Sequence, residues 1–442
     1  MKPLSEIPRP AGSLINHSLR FFRNTMQFYE DAHRECGDLF ATRIPGMGEW
    51  VYVGSPELAE AVVQASPEDL SGGDLGGFNL VHVQGPGAAS HLDGPALKER
   101  RDVTAPYLSA PAGLKRVDEF RAIAERKIAE WPLGQPFPLV LTLQKIALES
   151  MMRVFFATAS PERVRQLSGV YEDFSFKGLR SPATPHSSLQ VDLGPWSLWG
   201  RVLKRQRAVF AAFSREIEDR LAAGPEEDDI ILALSRAGLA PEVIRAELLD
   251  LLFQGHEMTG DGLTWIYSEL LANPEKLAKL RQEIGSVVGS EGVRAGDLDR
   301  LPYLQGVIYE GLRRRPTNFI TSVRRVKKPF PLGGYLLPEG TLVAVCYPAL
   351  AKRADLYPDP QRFQPERQAG QEPTGTRCPF GSGAHACPGR ELAMVILKTV
   401  LATVVRGAEL KAAQPLEEIR PVRVAYFYEP NKGLQVVLEK RL

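Results

Sequence analysis

The stretch PFGSGAHACPG, Pro379 to Gly389, sets one cysteine, Cys387, near the end of a loop that also carries glycines at 381, 383 and 389 and one histidine, His385. Glycine permits backbone torsions and close approaches that a Cβ obstructs, so this loop is able to curl its amide N–H groups toward one point. That point is the sulfur. A metal-bound thiolate is electron-rich, and N–H donors around it tune its potential and keep it coordinated. Pro388 suits the first turn of a helix, whose positive dipole end then faces back toward the loop. Phe380 supplies a flat apolar cover for a planar cofactor. The other cysteines, Cys36, Cys346 and Cys378, form no C-x-x-C pair, and four in so long a chain make no disulfide scaffold. They read as inert thiols.

The chain around this loop is 442 residues long and 44% hydrophobic, enough for a large core in one composite fold or two domains. Lys and Arg total 54 against 53 Asp and Glu, so no global field draws the protein to nucleic acid or to an anionic membrane. No run approaches the roughly 20 apolar residues of a membrane span, and the N-terminus lacks a signal-peptide core. A cytoplasmic monomer with no membrane span and no nucleic-acid partner is the expectation. Turn residues and alternation predict strands and one helix over Gly37 to Val63, within a β-rich region of about 37–70. Ser71 to Gly94 reads as a long Gly-rich loop. Helical periodicity then covers Ala112–Trp131, Val140–Phe156, Pro161–Phe176, Leu198–Ala222, Pro241–Ala272, Pro274–Val288 and Leu304–Arg315, a helical core of about 95–315. Beyond Thr317 come short strands, the cysteine loop at 379–389, a helix over Glu391–Val405 and a terminal hairpin around EPNKG. No internal repeat or domain linker interrupts the chain, so the fold class is mainly α with a small β region, one unit over 1–442.

The order Phe380, Gly383, His385, Cys387, Gly389 resembles the haem-thiolate signature F-x-x-G-x-[RH]-x-C-x-G of the cytochromes P450, soluble bacterial type. By that resemblance Cys387 is the axial ligand of a haem b, and its electron donation favours O–O cleavage. Phe380, Gly381, Gly389 and His385 would border the cofactor. YEGLRRRP contributes Glu310 and Arg313 at i and i+3, and FQPERQ contributes Arg367; together they are similar to the family's buried Glu-Arg-Arg network, which holds the scaffold and does no chemistry. In DGPALKERRDV, Arg100 and Arg101 compete for the place of the family's propionate arginine, while Ala96 or Leu97 stands where an aromatic or His is usual. Arg324, with Arg325 beside it as the alternative, matches a second propionate donor, and His385 a third.

The centre of the longest helix reads LLFQGHEMTGDGLTW. Three glycines in a helix interior, each costing up to about 1 kcal/mol, invite a reason. The family pattern here is [AG]-G-x-[DE]-T-[TS], in which a glycine makes room for dioxygen and an acid and an alcohol relay protons to it. Gly255 and Glu257 match. Where the alcohol belongs stands Met258, which donates no hydrogen bond, and Thr259 follows. Whether Thr259 takes over stays open at this point.

The resemblance places the substrate among Phe78, Asn79 and Leu80 of the Gly-rich loop, Asn318, Phe319, Ile320, Thr321 and Ser322, the loop Gly178–Trp196, and a hairpin tip at Pro430 and Asn431. These suit a lipophilic small molecule with one or two oxygens, a terpenoid or steroid first and a fatty acid or polyketide next. The expected function is a haem-thiolate monooxygenase hydroxylating that molecule with dioxygen. No flavin or nicotinamide segment remains, so electrons would come from a ferredoxin and its ferredoxin reductase, docking near Lys98, Arg377 and whichever of Arg100 and Arg101 leaves the propionate free. A haem-thiolate isomerase or peroxygenase, favoured by Met258, and a non-catalytic haem sensor or lipophile-binding protein are the alternatives.

Overall fold

Pro241 in a first turn and the apolar run behind it start a helix that ends at Ala272, the long helix, on which the rest of the protein is assembled. The computed structural model describes residues 1–442 apart from 45–47, 74–83, 182–183, 185–188, 225–227 and 425–426. The long helix is buried against Leu139–Phe155, here called the crossing helix. Its glycines make that approach possible. A Cβ at Gly260 would stand 2.6 Å from the Cα of Gln144, and one at Gly255 would stand 2.6 Å from Met151 Cε. Backbone cannot move aside as a methionine tip can, so Gly260 is the position that sets the crossing. Gly255 thus has a packing role beside the oxygen site expected of it.

Leu198–Ala222, Pro274–Val287, Pro302–Arg314 and Arg390–Gly407 complete the main helical core close to their predicted bounds. The predicted helix over Ala112–Trp131 is two, Ala110–Leu114 and Val117–Ala129. The helix Gly94–Leu108 escaped periodicity because Pro106 sits in its last turn and only Leu97, Thr104 and Leu108 are buried, one of them polar. Two N-terminal helices, Leu14–Arg23 and Thr25–Cys36, were likewise unforeseen.

The β region is a five-stranded sheet in the order Leu39–Ile44, Gly48–Val53, Leu342–Cys346, Ile320–Val326, Leu70–Ser71. Strands from both ends of the chain therefore share one sheet, with Gly48–Val53 parallel to Leu342–Cys346. Trp50, Tyr52, Tyr29 and Phe319 pack on one side, and Val62, Val63 and Leu337 belong to a second small core. The expected hairpin around EPNKG is a correction. Phe427–Pro430 pairs with Pro421–Val424, while Gln435–Arg441 pairs with Ala408–Ala412. The strands on either side of Asn431–Gly433 are therefore each taken by another partner and do not pair with each other.

Candidate active site

Gly381 and Gly383 take φ of +72° and +74°, and a Cβ at Gly383 would stand 2.5 Å from Val63 Cγ1. Only glycine satisfies both conditions, and the loop seats against the helix Pro56–Gln64. Cys387 N donates to Phe380 O at 2.9 Å and Ala386 N to Gly383 O at 3.0 Å, which closes the loop. Gly389, at φ −96°, needs no special freedom. Cys387 is open to a water-sized contact yet enclosed by protein on every side, as a residue on a cavity wall is. Burial raises its thiol pKa, against the pull of the Gly389 N–H and the Arg101 charge. Phe380 lies on the main core, edge-on to Tyr309 at 6.5 Å.

The opposite wall is the long helix. From Asp250 to Leu270 its residues are buried except Leu251, Gln254, Gly255 and Met258. Spacing of i, i+3, i+4 and i+7 makes these four one stripe. Near one end of the stripe Glu247 pairs with Arg100 at 2.8 Å, and near the other Gly262 faces Leu312 and Thr317. Arg101 is within electrostatic reach of Cys387 and of Glu247 and Asp250 on the long helix, so the cysteine loop and this helix flank the same guanidinium.

Arg100 is spoken for: its Nη1 donates to Glu247 Oε2 and to Gly87 O at 3.0 Å. Arg101 donates to Ala384 O at 2.5 Å, leaves a buried Nε without an acceptor, and makes no ion pair among the described residues. Arg324, on the strand Ile320–Val326, is buried, and among the described residues it donates only to the Val323 carbonyl, at 2.9 Å. Burial lowers the Arg324 pKa to about 10, and the Arg101 charge pushes the same way. Two neighbouring cations that make no ion pair among the described residues, with Asp93 only within electrostatic reach of Arg324, are a binding place for a dianion. His385 differs from expectation: its Nε2 meets Asp93 Oδ1 at 2.8 Å. That carboxylate also accepts from Ser71 Oγ and the Gly72 and Gly73 amides, and these bonds outweigh its burial to hold its pKa below the usual range. Only Nδ1 of His385 remains for another partner.

Behind the cysteine loop, Arg313 grips Glu310 through Nε at 2.7 Å and Nη2 at 2.8 Å, with both residues buried. Arg367 Nε stands 3.6 Å from the same carboxylate. The three residues read from separated motifs are thus one cluster.

Glu257 is the main departure. It faces away from the stripe and accepts from Ser175 Oγ at 2.6 Å and Gln144 Nε2 at 2.9 Å, with Arg180 Nη2 3.8 Å away. The same Gln144 nitrogen lies 2.7 Å from Asp261 and 3.0 Å from Glu429, so its two hydrogens are shared among three carboxylates, and Arg180 clamps Glu429. Burial opposes ionisation of Glu257, but His256, Arg180 and Ser175 together hold its pKa below the ordinary value. Burial and its two carboxylate neighbours raise the Asp261 pKa well above the ordinary carboxylate range. Met258 lies on the cavity stripe, whereas Thr259 is buried beside it. Phe319 stacks on Tyr428 at 4.0 Å within a separate core, turned from the cavity. Asn431 bonds to Arg420, at the end of its strand pair away from the turn, and Pro430 is buried there. Asn318 and Thr321 are partly accessible; Phe78, Asn79 and Leu80, and the side chains of Ile320 and Ser322, lie outside the described residues. Sequence reasoning missed Asp250, Gln254, Gln144, Arg180 and Glu429. Glu247 and Asp250 within an otherwise apolar helical run were the available signal.

A sequence model of the family described as cytochrome P450 matches residues 8–435. The chain belongs to the cytochrome P450 family. This P450 is 30% identical over 448 residues to a Mycobacterium tuberculosis protein bearing the name cytochrome P450 138, covering 98% of this chain and 96% of the other. It is 27% identical over 453 residues, 97% of this chain and 90% of the other, to one from the same organism named cytochrome P450 135B1. Among solved structures it resembles retinoic acid bound cyanobacterial CYP120A1, with a TM-score of 0.83 and 22% identity over 100% of both chains. The chain is a haem b-dependent oxidoreductase of the monooxygenase type. The walls fit such a group: an accessible sulfur, a flat Phe380, and two guanidinium groups that make no ion pair among the described residues. No helix among the described residues is long and apolar enough to cross a membrane.

Proposed function

We propose that this P450 hydroxylates a lipophilic small molecule, a terpenoid or steroid before a fatty acid, with electrons from a ferredoxin and its reductase. The observation that carries the reading is the stripe of Leu251, Gln254, Gly255 and Met258 across the cavity from Cys387. It is apolar with a single amide, the lining of a site that encloses a hydrocarbon skeleton and orients it by few polar contacts. Cys387 supplies the thiolate ligand, and Arg101 and Arg324 hold the two carboxylates of the cofactor. The haem, when bound, provides the oxidising chemistry with dioxygen, and the thiolate favours O–O cleavage. A terpenoid and steroid library screened for a substrate-induced Soret shift is the direct test. A library giving shifts only with polar or charged compounds would overturn the class.

The alcohol of the proton relay is absent from the cavity wall, because Met258 occupies the stripe and Thr259 is buried off it. Met258→Thr should therefore raise product formed per reductant oxidised severalfold, within the roughly 10²- to 10⁴-fold that a positioned proton donor contributes. Thr259→Ala should change it little. Peroxide assayed in parallel should fall in the first variant; a coupling loss in Thr259→Ala with no gain in Met258→Thr would assign the relay to Thr259.

For the electron donor, Lys98 and Arg377 are exposed, while Arg100 is withdrawn into its pair with Glu247. Lys98 is itself bridged to Asp102 at 2.6 Å, so part of its charge is neutralised. Reduction by an acidic ferredoxin should slow with rising ionic strength and with Lys98→Glu and Arg377→Glu, as steered association does. Arg100→Gln should act through stability and leave the salt slope intact. A rate independent of salt would remove this docking face.

A further inference from the structure

Three polar residues of the long helix run in line toward the cavity: Glu247, Asp250 and Gln254, at i, i+3 and i+7. Gln254 Nε2 donates to Asp250 Oδ1 at 2.7 Å, and Gln84 Nε2 donates to the same oxygen at 2.7 Å. Asp250 is 3% exposed. A carboxylate accepts and does not donate, so this bond decides which end of the Gln254 amide points at Asp250. It is the nitrogen. The carbonyl oxygen, on a residue of the accessible stripe, is left without a partner among the described residues.

We propose that Gln254, held by Asp250 with its amide carbonyl turned into the cavity, is the hydrogen-bond acceptor that fixes an O–H group there, either of a water or of the substrate. It is the only uncharged polar side chain on the stripe, and of the side chains at the alcohol and acid positions of the relay, Met258 donates no hydrogen bond and accepts only weakly while Glu257 is turned away. Asp250 acts as a positioning residue. The inference rests on the proposed reading of the cavity and narrows the substrate to lipophiles bearing a hydroxyl.

Burial raises the Asp250 pKa to about 6, so it is largely ionised at pH 7 and accepts from both amides. As pH falls through that value the carboxylate gains a proton, its hold on the two donors weakens, and Gln254 is free to turn. The groups facing Asp250 are Glu247 on its own helix, with Arg100 behind it, Arg101 on Gly94–Leu108, Ser90, and Tyr171 on Pro161–Glu172; His91 faces Glu247. The variants must therefore single out Asp250 from them.

The C–O stretch of the reduced carbon monoxide complex reads the field in the cavity without turnover. In the holoprotein it should shift with pH about a midpoint near 6. Asp250→Asn and Gln254→Leu should abolish that transition, and Glu257→Gln should retain it. A transition that survives Asp250→Asn, or is missing from the unsubstituted protein, overturns the proposal. Two probes distinguish the sources of the O–H group. If the substrate supplies it, 1-adamantanol should bind more tightly than adamantane by about 2- to 10-fold, a preference lost in Gln254→Leu. If water supplies it, adamantane should erase the pH transition and no preference for the alcohol should appear; the presence of neither effect rules Gln254 out as an acceptor. A protein that forms no thiolate-type carbon monoxide complex would fail the reading of the cavity itself, a result separate from all of these.

Discussion

Cys387→Ser is expected to abolish the red-shifted Soret band of the reduced carbon monoxide complex and to lower turnover by at least about 10²-fold, more than is usual for loss of an outer-shell partner. The expectation rests on access and charge together. Cys346 and Cys378 are 0% and 2% exposed, and Cys36 packs beside the Trp50–Tyr52 core, so none of the other three thiols is placed to serve as ligand. Burial holds the Cys387 thiol protonated in the bare protein, but a metal ion inverts that balance and takes the thiolate. A serine hydroxyl, with a far higher intrinsic pKa, does not follow. The Gly389 N–H and the Arg101 charge would remain in place for it, so the loss would be one of donor strength and not of loop geometry. Cys36→Ser, Cys346→Ser and Cys378→Ser should each keep the band. Retention of the shifted band in Cys387→Ser would remove this residue as ligand.

What the sequence disclosed and what it withheld divide along a physical line. The cysteine loop was legible because its positive-φ glycines act within eleven residues, where sequence neighbours are spatial neighbours, although the helix behind it starts at Arg390 and leaves Pro388 in the turn before it. The bounds of Leu198–Ala222 and Pro241–Ala272 were legible for the same reason, through caps and periodicity. Facing directions were not. Glu257 and Met258 are adjacent in sequence, yet a 100° step around the helix sends one to Ser175 and Gln144 and the other to the cavity. Which of the two meets the cavity depends on where the crossing helix lies, and that is set by Gly260 against Gln144. Arg100 and Arg101 pose the same problem: both are arginines on one helix, and only the position of Glu247, 147 residues away, tells which is consumed. The strand exchange around Pro430 was hidden because its partners, Ala408–Ala412 and Pro421–Val424, are chosen by the sheets and not by the turn.

Glu310→Ala is expected to destabilise the protein by about 3 to 5 kcal/mol, the cost of leaving a buried charge without its partner. Against a total stability of roughly 5 to 15 kcal/mol, that is enough to unfold much of the population or leave it without cofactor. Glu310 is 0% exposed and receives Arg313 at two nitrogens, Arg367 at 3.6 Å, and the Gln364 amide at 3.1 Å. Arg313 in turn donates to the Ala351 and Pro360 carbonyls, so one guanidinium pins the chain segment leading into the cysteine loop to the helix Pro302–Arg314. Removing the carboxylate leaves the buried Arg313 and the partly buried Arg367 without their shared partner and frees that segment. Arg313→Lys should also fail, since a single ammonium cannot reproduce two parallel bonds to Glu310 and two to carbonyls. The measurement is the urea midpoint with haem content alongside, and a double-mutant cycle separates the causes. If the buried charge is the cost, Glu310→Gln with Arg313→Met should lose less stability than the two single changes added together. Additive losses would mean that the carbonyl contacts of Arg313, and not its pairing with Glu310, hold the cysteine loop in place.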